Sequence, residues 1–233
     1  PKFEKLSVTK TYGQSQVIFS DAANSLTNWT VSQTWGTTTS TFYSASSSIT
    51  DSPNGDYANG ANKSITLSSG VDLNNAVAAT LSFYGKWEIE AGYDYVQLEI
   101  STNGGSSWIP QCGNYTKAGS ANQEQGEPLY DGFQSTWVKE EINLSDYLGQ
   151  TVIARFTLVS DNWAKEDGFY FDDFEINVVY GPQGLEELTE NGLYISQNIP
   201  NPANETTSIN YVLPQTKGNA YLNITNGMGQ LID

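Results

Sequence analysis

The chain has 233 residues, of which 26 are acidic and 10 are basic, and its formal net charge is −16. This balance argues against a nucleic-acid partner, which needs a basic patch, and against an anionic membrane surface. The chain has no histidine and a single cysteine, Cys112. These counts exclude a Ser-His-Asp triad, a Cys-His pair, a histidine-based zinc site and an intramolecular disulfide.

Short alternating segments rich in Val, Ile, Tyr, Phe and Trp run through most of the chain, separated by Ser-, Thr-, Asn- and Gly-rich turns. This pattern predicts an all-β fold, an antiparallel jelly roll or β-sandwich. The clearest predicted strand, 79–89, places Leu81, Phe83 and Trp87 on one face. Segment 93–101 alternates again after a short turn, so the two segments predict a β-hairpin.

A predicted turn and two predicted strands follow in chain order. Residues 101–108 resemble an Asp-box, a hairpin turn with a structural role. Segment 151–159 places Val152, Ala154, Phe156 and Leu158 on one side. Segment 169–178 changes the phase of its apolar face near Asp172 and Asp173, which predicts a β-bulge there.

The composition divides the chain into four parts. Residues 1–15 are interpreted as the tail of an upstream linker, because they contain neither a Met start nor an apolar signal core. Residues 16–180 form the large sandwich, and 181–193 form a short acidic linker. Residues 194–233 form a second, smaller β domain. No apolar segment is long enough to predict a membrane span.

Acidic side chains cluster in several loops, including 161–167 with Asp161, Glu166 and Asp167. Carboxylate, amide and carbonyl oxygens are the ligands that calcium prefers. The sequence therefore predicts a structural calcium site assembled from distant segments. The predicted ligands are Asp51, Glu90, Asp94 and Asp173, with Asp56, Glu88 and Asp172 as further candidates. The alternative is that these acids are solvated or pair with cations such as Lys86 and Arg155.

Several aromatic residues suggest an alternative function, carbohydrate binding, because sugars stack on exposed aromatic rings. The candidates are Trp29, Trp35, Trp137, Trp163, Tyr43, Tyr57 and Tyr130. Trp163, within the acidic loop, is predicted to be the most exposed, whereas Trp at strand starts usually packs in a core. A third hypothesis is an enzyme that uses paired carboxylates, with Glu88 and Glu90 on one strand face; the sequence does not give their separation from Asp172.

A set of short segments recurs in a fixed order along the large domain: 17–21, Trp29, Tyr57, 81–83, 87–90, 93–96, 101–108, Trp137, 142–145 and 167–174. In this order the domain is similar to the MAM-like jelly-roll domains that follow the catalytic domain in secreted bacterial metallopeptidases. The zinc carboxypeptidases of Bacteroidetes resemble it most, and immune-inhibitor-type metalloproteases are more distant. The resemblance implies a non-catalytic accessory domain, often with a structural calcium ion, acting beside its own upstream catalytic domain.

The tail resembles the start of the C-terminal sorting domain that Bacteroidetes proteins carry for type IX secretion. A Pro-Asn-Pro turn precedes two alternating runs, 208–213 and 220–224, and a Gly-Gln pair follows. The resemblance implies an incomplete Ig-like β-sandwich and export across the outer membrane to the cell surface or medium. It also implies the translocon and its shuttle and sortase proteins as partners. The residues implied in recognition are Asn198, Pro200, Asn201, Pro202, Ile209, Tyr211, Leu213 and Gly229.

Overall fold

The computed structural model describes residues 14–32 and 34–180, together with the backbone of four short strands nearer the C-terminus. The chain divides into two compact units, Pro1–Gly181 and Pro182–Asp233, and each is described by itself. No helix among the described residues is long and apolar enough to cross a membrane.

In the first unit, residues 14–32 and 34–180 form fourteen strands and one 3₁₀ turn at Ser145–Tyr147. In chain order they are β1 Gln14–Asp21, β2 Trp29–Val31, β3 Gly36–Thr38, β4 Ser48–Thr50, β5 Asn62–Leu67, β6 Val71–Asp72, β7 Ala76–Ile89, β8 Tyr95–Ser101, β9 Ile109–Pro110, β10 Lys117–Ala118, β11 Pro128–Leu129, β12 Gly132–Asn143, β13 Thr151–Val159 and β14 Gly168–Tyr180. In the second unit they are β15 Tyr194–Ile195, β16 Tyr211–Val212, β17 Ile224–Thr225 and β18 Leu231–Ile232.

Two six-stranded antiparallel sheets form the body of the first unit. The first sheet has the order β12-β7-β14-β4-β3, and β1 also pairs with β14. The second sheet has the order β2-β5-β13-β8-β9, and β6 also pairs with β13. The pair β10-β11 forms a small separate ribbon. The all-β, antiparallel sandwich predicted from the alternating segments is thereby confirmed.

The core lies between the two sheets and is dominated by aromatic rings. Phe156 of β13 stacks on Phe171 of β14 with ring centroids 4.6 Å apart, and it meets Phe83 of β7 edge-on at 5.1 Å. Each of these side chains is fully buried. Close-packed aromatic contacts of this kind hold the two sheets face to face.

The predicted strand faces are confirmed in the core. Leu81, Phe83 and Trp87 of β7 are buried, as are Val152 and Phe156 of β13 together with the rest of the set predicted there. Their outward neighbours on β7 are more exposed. An alternating segment with one apolar side therefore buries that side against the opposite sheet.

The predicted hairpin between segments 79–89 and 93–101 is wrong. Strand β7 pairs with β12 and β14 in the first sheet, whereas β8 pairs with β13 and β9 in the second. Residues 90–94, named here the arch, cross from one sheet to the other. All seven residues of β8 are buried, so this strand takes an interior place in a sheet. Alternation reports which face of a strand is apolar and does not report its partner.

Two local predictions from turn and bulge chemistry are confirmed. The register of β14 against β7 shifts between Asp172 and Glu175, and Asp173 has a φ of 46°. Strands β8 and β9 form the predicted hairpin around 101–108, in which Asn103 accepts a hydrogen bond from the Ser107 N–H at 3.0 Å.

The described strands of the second unit form two antiparallel pairs, β15 with β16 and β17 with β18. Tyr211 lies in β16, where it pairs with Ile195. The other residues implied in sorting lie outside the described residues. They are Asn198, Pro200, Asn201, Pro202, Ile209, Leu213 and Gly229.

Candidate cation site at the arch

Three carboxylates meet at one end of the sandwich and are named here the acidic cluster: Glu90, Asp94 and Asp161. Each offers one oxygen, and these oxygens lie within 4.8 Å of one another. Glu90 and Asp94 belong to the arch, and Asp161 is the second residue after β13. Asp94 is fully buried, and the other two are half-buried.

The buried hydroxyl of Tyr57 holds the arch in place. It donates to Asp94 Oδ2 at 2.7 Å and accepts from the Glu90 N–H at 3.1 Å. The Asp94 N–H in turn donates to the Glu90 carbonyl at 3.1 Å. The third member is attached through its backbone, because the Asp161 N–H donates to Asp94 Oδ1 at 2.6 Å. Segments far apart in sequence are thus fixed against one carboxylate.

Further hydrogen bonds fix the loops around the acidic cluster. The Tyr57 N–H donates to the Glu166 carbonyl at 3.1 Å. The Ser160 hydroxyl donates to the Ala58 carbonyl at 2.7 Å, and the Gln123 side-chain amide donates to the Asp94 carbonyl at 2.8 Å. Because the surrounding backbone is already paired, the cluster is preorganised and its carboxylates have little freedom to move apart.

The electrostatics of the acidic cluster are unfavourable without a cation. Burial raises the pKa of Glu90, and the neighbouring charges of Asp161, Asp94 and Glu166 raise it further. Burial is also the main cause that raises the pKa of Asp94. Glu90 Oε2 is inaccessible to solvent and has no hydrogen-bond partner among the described residues. A divalent cation would offset the repulsion and give this oxygen a partner.

The structure brings together only part of the predicted ligand set. Glu90 and Asp94 are adjacent, and Asp161 is the third acid of the group. Asp51 is buried at the end of β4, where its Oδ1 accepts from the Phe169 N–H at 3.0 Å and its Oδ2 has no partner in the described part of the chain. Asp173 lies in the β14 bulge instead.

Asp173 and the further candidates have other surroundings. Asp173 accepts a hydrogen bond from the Ser44 hydroxyl at 2.7 Å. Asp172 is buried, and its Oδ2 accepts from the Tyr43 and Ser44 N–H groups at 2.8 and 2.9 Å. Asp56 and Glu88 are exposed. Strand β7 ends at Ile89, so Glu90 is in the arch and does not share a strand face with Glu88.

The sequence predicts Asp161 only as a spare acid of its loop and not among the first four ligands, and it places Tyr57 among possible sugar platforms. Tyr57 is in fact buried, as are Trp29, Trp35 and Tyr130 of the same set. Trp163 is 86% exposed, as predicted. Asp161 lies two residues past the end of β13, which pairs with β8, and β8 begins directly after the arch. Alternation does not report this pairing, so it gives no signal that Asp161 meets the arch.

These features define an antiparallel, two-sheet β-sandwich domain with acidic loops at one end. Residues 46–191, more than half of the chain, match the family model described as Immune inhibitor A-like, MAM domain. The chain belongs to this family. The MAM-like resemblance found in the sequence is therefore confirmed at the level of the family.

The relatives that the chain matches are much longer proteins. It is 30% identical to Pre-pro-metalloprotease PrtV of Vibrio cholerae over 113 residues, which cover 48% of this chain and 11% of PrtV. It is 29% identical to Bacillopeptidase F of Bacillus subtilis over 119 residues, which cover 51% of this chain and 7% of that protein. The shared region is thus an accessory part of each relative. Among solved structures, the chain is similar to a xylan-binding domain from Paenibacillus barcinonensis, with 15% identity, a TM-score of 0.45, and coverage of 75% of this chain and 100% of that one.

Proposed function

We propose that this chain is the non-catalytic C-terminal region of a secreted bacterial peptidase precursor, most closely a metallo-carboxypeptidase. The observation that carries the proposal is the family match over 46–191, together with the small share of each relative that the match covers. The sandwich would stabilise or position its own upstream catalytic domain. The absence of histidine from this sequence fits this role, since the chain alone cannot supply a histidine-based zinc site.

The acidic cluster is proposed to hold a structural calcium ion. Glu90, Asp94 and Asp161 would supply carboxylate oxygens, and Glu90 Oε2 is the buried atom that needs a partner. Calcium takes six to eight oxygen ligands, so backbone carbonyls and water would complete the shell. The ion would tie the arch to the loop after β13 and so stabilise this end of the sandwich.

Thermal unfolding of the 233-residue chain tests the calcium proposal. A ligand that binds only the folded state raises its stability, so we expect saturating calcium to raise Tm by about 5 °C or more relative to chelator. Asp161→Asn should remove most of this increment. Asp56→Asn, which changes an exposed acid outside the cluster, should keep it. Identical unfolding curves with calcium and with chelator would contradict the proposal.

The tail, 194–233, is proposed to direct export through the type IX translocon, with the shuttle and sortase proteins as partners. The support is its Pro-Asn-Pro turn followed by alternating runs, and the antiparallel pairing of its described strands. Short strands present backbone groups that a partner protein can pair with. A precursor that lacks 194–233 should accumulate in the periplasm. A precursor that lacks only 182–193 should still be exported. Unchanged export of the first variant would rule this role out.

A second candidate function is glycan binding or adhesion. The observation that favours it is the presence of large aromatic side chains on the surface, with Trp163 86% exposed and Phe133 70% exposed. Retardation of the chain in gels that contain a soluble polysaccharide tests this function, with Trp163→Ala as the first variant. Equal mobility in gels with and without every polysaccharide tried would eliminate it.

A further inference from the structure

A second group of aromatic rings lies at the outer face of the first sheet and is named here the aromatic face: Tyr43 and Phe133, which are exposed, and Tyr84, which is half-buried. Tyr84 lies on β7 between the inward-facing Phe83 and Gly85, so it points away from the core. Phe133 of β12 pairs with Glu88 of β7 and is 70% exposed. The alternation of β7 places Tyr84 and Glu88 on the same side of the sheet.

Tyr43 and Tyr84 form a fixed platform. Their rings are parallel within 10°, with centroids 3.5 Å apart, and Tyr43 is 47% exposed. The backbone of Tyr43 is anchored from below, because buried Asp172 accepts hydrogen bonds from the N–H groups of Tyr43 and Ser44. A ring that is already held in position loses little conformational entropy when a ligand stacks on it.

Charged side chains around the rings include both signs. Lys86 lies with its ammonium 4.9 Å from the centre of the Tyr170 ring. Lys139 pairs with Tyr84 across the strands and makes an exposed ion pair with Glu141 at 2.8 Å. Glu88 is exposed on the same side. The carboxylates of Asp172 and Asp173 lie beside the Tyr43 loop as well, so acidic groups outnumber the two lysines around the aromatic face.

Trp163 has different surroundings. Its N–H donates to Asp161 Oδ1 at 2.8 Å, and the same loop contains Glu166 and Asp167. No ring contact of Trp163 occurs within the described ranges, 14–32 and 34–180. A single ring in an acidic loop offers a smaller and more charged surface than three rings on a sheet.

We infer that the aromatic face binds a neutral oligosaccharide, with Tyr43 and Phe133 stacking on sugar rings while Lys86 and Glu88 bond hydroxyl groups. A neutral ligand fits because the excess of carboxylates disfavours an anionic sugar, and the patch offers both donors and acceptors to sugar hydroxyls, which act as both. Tyr84 and Glu88 are four residues apart on one strand, which is about 13 Å. This length accommodates several sugar units. The inference rests on the second candidate function and specifies its site and ligand class.

Affinity gels with the 233-residue chain test the inference, using soluble xylan, β-glucan and galactan as neutral probes and polygalacturonate as the charged probe. We expect retardation by at least one neutral polysaccharide. Tyr43→Ala and Phe133→Ala should each weaken the affinity about three- to tenfold. Trp163→Ala, which removes an even more exposed aromatic side chain, should leave the affinity unchanged. Phe133 is a surface side chain, so this variant should keep the wild-type Tm.

The possible outcomes separate this inference from the function on which it rests. Loss of retardation in Trp163→Ala but not in the Tyr43 and Phe133 variants would overturn the inference and keep glycan binding. Retardation by polygalacturonate alone would overturn the neutral ligand and hence the inference. No retardation by any of the four probes would overturn both the inference and the second candidate function, while the accessory role beside a peptidase would stand.

Discussion

The bulge of β14 and the arch between β7 and β8 both place acidic side chains in buried positions, but they satisfy them differently. At the bulge, Asp172 accepts hydrogen bonds from three backbone N–H groups, including those of Tyr43 and Ser44. At the arch, Glu90 has a buried oxygen without a partner in the described residues and lies beside two further carboxylates. Hydrogen bonding therefore distinguishes an acid that builds a loop from an acid that is available to a cation.

Asp172→Ala should give the largest effect if this distinction holds. The substitution leaves three N–H groups of the bulge and the 43–44 loop without their buried acceptor, which should cost about 4 kcal/mol of unfolding free energy. Urea unfolding at neutral pH measures the loss. The loss should be the same with calcium and with chelator. A loss that depends on calcium would place Asp172 among the ligands and erase the contrast.

Asp51 is a third case: its Oδ2 has no hydrogen-bond partner among the described residues, and it lies outside the acidic cluster. Burial raises the pKa of Asp51 from 3.8 to about 7, against the lowering effect of its hydrogen bond from the Phe169 N–H. The folded state thus holds this proton more tightly than the unfolded state. Its stabilising contribution is complete below pH 3.8 and is lost as the pH rises through about 7.

Asp51→Asn should therefore make the protein more stable than the wild type at pH 8, by on the order of 2 to 4 kcal/mol, and should bring little change at pH 4. Urea unfolding across this pH range, read as the difference between the two proteins, measures the effect. Asp56→Asn at an exposed position provides the control. A lower stability of Asp51→Asn at every pH in calcium would instead support the ligand role that the sequence predicts.

The sequence correctly predicted the features that depend on residues close together along the chain. The inward sets of β7 and β13 follow from alternation alone, and the bulge at Asp172 follows from a change of phase within one strand. These features need no knowledge of the partner strand. The acidic character of the loops was likewise visible as composition, since acids, Asn and Gly recur between strands.

Alternation and composition do not predict contacts between residues far apart in the sequence. Tyr57 and Asp94 are 37 residues apart, and their hydrogen bond forms only because β7 and β8 join different sheets. The same crossing brings the arch to Asp161, whereas a hairpin would have kept both its strands in one sheet. Alternation is compatible with either arrangement. The sequence therefore predicts which loops are acidic but does not predict which of them lie close together.

Tyr57→Phe tests whether the arch is held by the hydroxyl that links its two acids. The variant keeps the buried ring and removes the hydrogen bonds to Asp94 and from the Glu90 N–H, which should cost about 1 to 2 kcal/mol. Calcium should then raise Tm less than in the wild type, because the ligands are less well positioned. Tyr130→Phe, which removes another buried hydroxyl bonded to a carboxylate, Glu140, should leave the calcium increment unchanged. If calcium raised Tm equally in the wild type and in both variants, the Tyr57 hydroxyl would have no role in positioning the cation ligands.

Glu90→Gln should give the smallest shift, but one whose sign depends on the cation. In chelator the variant removes a negative charge beside Asp94 and Asp161, so the repulsion falls and Tm should rise by on the order of 1 °C. In calcium the same change removes a charged ligand, so Tm should fall below that of the wild type. Glu88→Gln, an exposed neighbour outside the acidic cluster, should show neither shift. If the Tm of Glu90→Gln shifted in the same direction in both buffers, the missing partner of Glu90 Oε2 would reflect local packing. The arch would then resemble the bulge, where the acid has a structural role.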